Sequence, residues 1–387
     1  MPKFRRASKK PRTLAKLSAI VALAAAGFSF AVFNHRHVAE SEHDRAPAPA
    51  PNADISSARG PAQAPPPSIA TPPPICSHFY ENVCQKRGLT RDPTGIVRPD
   101  IDGEIQALRI YEEIIHKHPE WTSEQVDEEL VRSIYTPKRL ERVREAYNWV
   151  KAAIERLIQR QPDRVLNPKE KKQLIEKIQA VKLDLPPPAA AYSDEPDLFT
   201  KNDVYYERTA NGQTRMRVGG AYLFSAKSRF NLIFTMGHEF AHSIDPCELR
   251  AADIELKSYK ALTSCFLEKK FVVRAENFAE CGEGDPMSET FADWVAVQVT
   301  ADALRTETVG YTSAQIQSAA TNAIRDLCEQ EDSTREADLT NHPEPRIRIQ
   351  NLFGNQSEIR AVLGCPALPQ PDLYCSFESV NSPGNHR

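Results

Sequence analysis

Apolar positions recur at helical spacing through much of the chain after residue 100. Leu108, Ile110, Tyr111, Ile114 and Ile115 make one stripe, and Leu140, Val143, Tyr147, Val150, Ile154 and Leu157 make another. Side chains three and four positions apart share a face of an α-helix, so the pattern predicts amphipathic helices over 102–118, 123–135, 137–161 and 168–182. Asn167-Pro168 is a start signal for the last of them. The period changes after a proline-rich connector at Leu185-Pro-Pro-Pro188 and 189–197. Alternating polarity predicts short strands at Asp203–Tyr206 and Thr214–Phe224. Helical spacing then returns with Phe230, Ile233, Phe234 and Gly237, and no proline interrupts Ser228–Ile244. The stretch Cys247–Met287 reads as helix plus loop. A helix is expected from about 288 to Leu304, another over Ser313–Glu329, and a short one near the end of 350–363. The fold class that follows is mainly α with a small β-sheet (α+β).

The first 75 residues have a different pattern. Lys3, Arg5, Arg6, Lys9, Lys10, Arg12 and Lys16 make residues 1–16 basic, with no acid among them. Leu17–Phe33 is an uncharged apolar run, near the lower length limit of about 17 residues for a membrane-spanning helix. It predicts a transmembrane signal-anchor with residues 1–16 on the cytoplasmic side. A cleaved signal peptide is the alternative, and would make the protein secreted. No A-x-A site follows the run, which favours the anchor. Residues 34–75 are a Pro/Ala-rich linker that cannot build a core. All eight cysteines lie beyond it, which points to an oxidising compartment, periplasmic or extracellular. The formal charge of −3 gives no reason to expect a nucleic acid partner. Two folded regions are expected, a helical N-terminal lobe at 76–190 and a second domain at 191–387.

The chemistry concentrates in the second region. His238-Glu-Phe-Ala-His242 is an H-E-x-x-H pattern. On a helix its two imidazoles stack on one face and can share a metal ion, with Glu239 beside them as a general base. Glu289 and Asp293, in Ser288-Glu-Thr-Phe-Ala-Asp293, are again four apart. Apolar neighbours argue for burial, and a buried carboxylate pair needs a cation. A hydrolytic zinc site uses three protein ligands and keeps a position open for water. Glu289 fits as third ligand after His238 and His242. Asp293 fits as the carboxylate that orients a ligating imidazole. No H-x-x-G-x-x-H continuation follows His242, which speaks against the metzincins.

Together these segments resemble the neprilysin/endothelin-converting-enzyme family of glutamate zincins. The resemblance rests on Gly237-His-Glu-Phe-Ala-His-Ser-Ile-Asp245, Glu289-Thr-Phe-Ala-Asp293, His342-Pro-Glu-Pro-Arg-Ile-Arg348 and Cys76-Ser-His-Phe-Tyr-Glu-Asn-Val-Cys84. It implies a thermolysin/neprilysin-like zincin domain holding one Zn2+ and hydrolysing peptide or protein substrates. By the same resemblance His342 would donate to the oxyanion, and Arg348 would hold a substrate carbonyl or support that site. Asp245 would brace His242 or cap a helix end. The family's cysteines imply Cys76–Cys365 and Cys84–Cys328, with Cys375 joined to Cys265 or Cys281 and Cys247 to the other. The tract Met216–Phe224 would be the edge strand that pairs with substrate. Asp203-Val204 stands where the family has Asn-Ala. Too few residues lie between Cys84 and Lys201 for the family's large helical lobe, so a reduced lobe and a more open cleft are expected. Two other readings compete. A prenyl-protease-type membrane zincin shares H-E-x-x-H and E-x-x-x-D, and a catalytically inactive anchored binding module would account for the shortened lobe.

Overall fold

Caps set where several helices begin. The computed structural model describes residues 74–84, 102–187, 195, 197–209, 211–224, 228–272, 286–332, 342–368 and 375–377. In it the Thr122 side chain accepts from the Gln125 N–H, and the Gln125 side chain accepts from the Thr122 N–H. Asn167 with Glu170, and Thr312 with Gln315, repeat the arrangement. Each reciprocal cap satisfies donors that a helix start leaves unpaired.

Helix α1 is Phe79–Cys84. Then come α2 (Asp102–Lys117), α3 (Ser123–Ile134), α4 (Pro137–Arg160) and α5 (Pro168–Ala180). The stripe on α4 is buried at Leu140, Val143, Tyr147, Val150 and Ile154. Three short strands follow: β1 (Lys182–Asp184), β2 (Val204–Arg208) and β3 (Thr214–Val218). The later helices are α6 (Arg229–Ala241), α7 (Pro246–Ala251), α8 (Lys257–Glu268), α9 (Pro286–Glu307) and α10 (Ser313–Ala323). A 3-10 segment, Arg325–Asp332, a π-helical segment, Ile347–Gly354, and α11 (Ser357–Val362) complete the described chain. The fold is therefore mainly helical with one small sheet. Residues Ile69–Arg387 form one compact unit, so α2–α5 share it with the later helices.

The sheet order is β1-β3-β2. β1 runs parallel to β3, with Leu183 opposite Met216, and β2 runs antiparallel, with Tyr206 opposite Met216. The strand expected over Thr214–Phe224 thus ends at Val218, and it is the middle strand rather than an edge. Glycine explains the stop. A Cβ on Gly219 would run into the Lys201 carbonyl, and one on Gly220 into the Phe199 backbone. The chain there presses against 199–201, then turns through a 3-10 segment, Ala221–Leu223. The helix expected over Ser313–Glu329 stops at Ala323, and the 3-10 segment beyond it carries Cys328 to Cys84.

Helix α9 is the core element. It is buried on almost every face, from Met287 through Phe291, Trp294 and Val297 to Leu304. A helix apolar all round belongs inside a protein rather than on its surface. It packs on α6 closely enough that a Cβ on Gly237 would sit 3.1 Å from Ala296 Cα. From the other side α4 packs on α6 through Tyr147 and Phe240, whose ring centroids are 4.9 Å apart.

Three disulfides tie described residues: Cys76–Cys365, Cys84–Cys328 and Cys265–Cys375. The choice left open for Cys375 therefore falls on Cys265. Cys247 is also disulfide-bonded, while Cys281 lies outside the described residues. So do the basic tail 1–16, the apolar run 17–33 and nearly all of the linker. Among the described residues no helix is long and apolar enough to cross a membrane.

Candidate metal centre

Ser228 starts α6, its hydroxyl accepting from the Asn231 N–H. The helix runs to Ala241, and His242 keeps helical dihedrals at its C-cap (φ −59°, ψ −22°). His238 and His242 therefore stay on one face, one turn apart. Their Nε2 atoms stand 3.3 Å from each other. The close α6–α9 crossing at Gly237 brings Glu289 in from the neighbouring helix. Glu289 Oε2 lies 3.0 Å from His238 Nε2 and 3.7 Å from His242 Nε2. A further donor comes from outside both helices: His342 Nε2 is 3.0 Å from the same Oε2. The ligand atoms of His238, Glu289 and His342 all lie within 4.8 Å of one another, so this group could hold a metal ion.

The second nitrogen of each helical imidazole has a carboxylate. His238 Nδ1 is 3.0 Å from Asp293 Oδ1, and His242 Nδ1 is 3.3 Å from Asp245 Oδ2. A carboxylate on Nδ1 holds the proton there and turns the Nε2 lone pair toward the shared point. Asp245 does both things weighed for it: its Oδ1 caps α7, accepting from Cys247 N–H at 2.8 Å and Glu248 N–H at 2.7 Å, while its Oδ2 faces His242. Ser288 donates to Asp245 and also lies 3.3 Å from His242 Nδ1, a contact the motifs did not single out.

Arg348 is 4 % exposed and forked onto Asp293, Nε to Oδ2 at 2.6 Å and an Nη to Oδ1 at 2.8 Å. Of the two roles weighed for this guanidinium, holding substrate or supporting the site, the contact with Asp293 beside His238 is of the supporting kind. The π-helical segment carries it there, and such segments recur at functional sites.

Glu239, next to His238, is also near β2. The Tyr206 N–H turns away from β3 and donates to Glu239 Oε2 at 2.7 Å. Burial pushes the Glu239 carboxyl up to about 7, even with two imidazoles nearby. Burial opposes a charge on His238, but Asp293 and Glu289 outweigh it and raise the imidazole to about 10. Burial also raises Asp293, yet Arg348 and His238 hold it down to about 2. Glu289 follows the same pattern: the imidazoles of His238, His342 and His242 overcome burial and keep it far below the carboxylate range.

One atom tests whether a metal fits. Glu289 Oε2 is buried and makes no hydrogen bond, although two imidazole nitrogens stand 3.0 Å away. An ion at about 2.0–2.1 Å from tetrahedral donors spaces those donors by about 3.3 Å. The separations among His238, His242 and Glu289, 3.3, 3.0 and 3.7 Å, scatter about that value. The donor set therefore fits a cation, and a cation would satisfy the orphaned oxygen. No protein-family model matches this sequence, and no curated protein matches it.

Proposed function

We propose that the protein is a zinc metalloendopeptidase with a zincin-type catalytic domain, of the neprilysin-like kind that its motifs resemble. The observation that carries this reading is the set of three converging donors with Glu239 beside them. His238, His242 and Glu289 would hold the ion, and two imidazoles with one carboxylate suit zinc. Bound there, zinc supplies a water whose pKa falls to about 7 and polarises a carbonyl oxygen.

Glu239 takes the proton of the attacking water and passes it to the leaving amine. Burial raises its carboxyl, which favours its holding the proton it takes. The Tyr206 N–H holds one of its oxygens and leaves the other free to move a proton. The His342 side chain donates toward the oxygen that gains negative charge, which is worth a few kcal/mol of barrier in such sites. Substrate backbone aligns along β2, which has no strand on its far side among the described residues. A basic N-terminus followed by an apolar run, and the disulfides, support an anchored site outside the cytoplasm.

The test is turnover by the full chain, made under oxidising conditions and loaded with zinc. A diverse peptide mixture is incubated with it and the cut sites are read by mass spectrometry, beside the Glu239→Gln variant. Cleavage by the native chain, lost with chelator, is expected. Glu239→Gln should lose at least about 100-fold in rate while keeping its zinc. A folded, zinc-loaded chain that cuts nothing, including unfolded proteins, would replace this reading with the anchored binding module.

A further inference from the structure

The register of β2 sorts its residues into two sets. Thr209 N–H donates to the Gln213 carbonyl and Gly219 N–H to the Asp203 carbonyl, both at 2.9 Å, which turns the odd-numbered positions toward β3. In an antiparallel pair the residues between them point their N–H and C=O the other way. Those are Val204, Tyr206 and Arg208, and the Tyr206 N–H on Glu239 is one of these outward groups. Side chains alternate in the same rhythm. Tyr205 and Glu207 reach Glu195 and Arg215 on one face of the sheet. Tyr206 and Arg208 lie on the other. The Tyr206 ring stands 6.4 Å from the His242 ring, and Arg208 pairs with Glu248 of α7 at 2.7 Å.

Charge on that second face is uneven. Lys177 Nζ meets the same Glu248 oxygen at 3.3 Å, so two cations share one carboxylate. The Glu248 and Lys177 side chains are 12 % and 19 % exposed, against 41 % for Arg208. The surplus positive charge therefore falls on the open partner, at the end of β2. Glu207, next to it in the chain, turns to Arg215 on the opposite face and cannot neutralise it. Arg208 follows Tyr206 by two residues, about 7 Å along the strand, and the Tyr206 N–H marks the level of Glu239.

We infer that Arg208 is a specificity-determining residue that selects an acidic side chain in the substrate, at the position lying opposite it. The inference rests on the peptidase reading and deepens it. A substrate strand paired along the open edge of β2 sets the residue opposite Arg208 on Arg208's own face, with Cβ atoms about 5 Å apart. Glu or Asp there meets the guanidinium in a charge-assisted hydrogen bond, and Glu248 keeps Lys177 as its partner. A strand laid along the edge offers its side chains to that face, not its terminus, so the carboxylate recognised is a side chain.

The experiment digests a peptide library, amidated at every C-terminus, with the full zinc-loaded chain. Asp and Glu should be enriched at one fixed position near the cut bond. Matched peptides with Glu or Gln at that position are then compared by kcat/KM. The native chain should favour Glu by about fivefold, the size of a favourable opposite-charge pair across two strands. The preference should shrink as salt is raised. Arg208→Gln should abolish it, and Arg208→Glu should invert it, favouring Lys over Gln. Lys177→Gln leaves Arg208 and Glu248 matched one to one and should weaken the preference, which tests the same surplus without touching Arg208. Each figure is a ratio within one variant, so a general loss of activity or stability does not imitate it. A native chain that cuts peptides with no acidic preference, or a Glu-to-Gln ratio that Arg208→Gln leaves intact, would overturn the role of Arg208 and leave the peptidase standing. A native chain that cuts no peptide would overturn both.

Discussion

At the scale of single residues, the most consequential contact is the fork between Arg348 and Asp293. It buries two charges against each other and passes orientation to His238. Removing one partner of such a pair leaves a buried, unpaired charge, at a cost of about 3–5 kcal/mol. Arg348→Leu should therefore lower the unfolding free energy of the metal-free chain by about that amount, read by chemical denaturation. If the guanidinium served only substrate, the denaturation midpoint would stay and only KM would rise. Arg348→Lys should recover little, since an ammonium cannot reproduce the two parallel hydrogen bonds. The residues of this centre were legible in the sequence because each helical pair repeats at four. Their mutual roles were less so. Arg348 and Asp293 lie 55 positions apart, and nothing in a linear pattern says that a guanidinium will choose a carboxylate rather than a ligand. Ser288 and the Tyr206 N–H were invisible for a similar reason. One is a small polar residue among helix formers, and the other acts through its backbone.

At the scale of elements, α9 has a polar exception near its C-terminal end. Asp302 is buried and faces Arg156 and Arg160 on α4 at 3.3 and 3.6 Å, with Arg305 at 2.5 Å. Burial raises its carboxyl, but Arg305, Arg156 and Arg160 outweigh it and bring it below the ordinary aspartate range. A carboxyl lower in the folded state than in the unfolded one stabilises the fold above the unfolded value, about 4. That contribution disappears as pH falls through the folded value. The arginines are about half exposed, so solvent screens each pairing to about 1 kcal/mol or less. Native and Asp302→Asn chains should differ in melting temperature at pH 7 and converge below about pH 3. A gap that stays constant across that range would show that the carboxylate charge contributes nothing.

The elements also show where the pattern of apolar positions stops being informative. Helices α2–α5 emerged within a residue or two of their bounds, because long amphipathic stripes and caps such as Thr122 and Asn167 agree. β1 did not emerge. It has three residues, Lys182–Asp184, with no alternation long enough to register, and its pairing with β3 is set by contacts far along the chain. The end of β3 was hidden for the opposite reason: Gly219 and Gly220 look like strand interior until the segment 199–201 is seen lying against them.

At the scale of the whole molecule, the disulfides decide how the described ends of the chain are joined. α1 and the 3-10 turn before it, Pro74–Cys76, are bonded to late segments through Cys84–Cys328 and Cys76–Cys365. Phe79 packs on Phe353 at 5.6 Å between ring centroids, and Arg360 donates to the Cys76 carbonyl at 3.0 Å. These contacts hold the π-helical segment, and with it Arg348, against the core. Chain-entropy reasoning gives a bond closing about 100 residues roughly 4–5 kcal/mol of stabilisation, and Cys265–Cys375 spans 110 positions. Mild reduction is therefore expected to lower the unfolding temperature and to loosen the metal together, measured by calorimetry beside chelator competition. Loss of stability with unchanged metal retention would separate the staples from the centre.

The span of Cys76–Cys365, 289 positions, has a consequence for how the protein is made. A ribosome delivers the chain from its N-terminus at about 5–20 residues per second. The partner of Cys76 arrives 289 positions later, so that thiol waits beside nearer thiols while the intervening chain is made. Cys84, Cys247 and Cys265 all emerge before Cys365. Each of these is a competing partner, and thiol–disulfide exchange is the chemistry that can undo such a pairing. A chain ended before Cys365 would carry Cys76 as a thiol open to alkylation, and a pulse of alkylating agent during synthesis would show how long that exposure lasts.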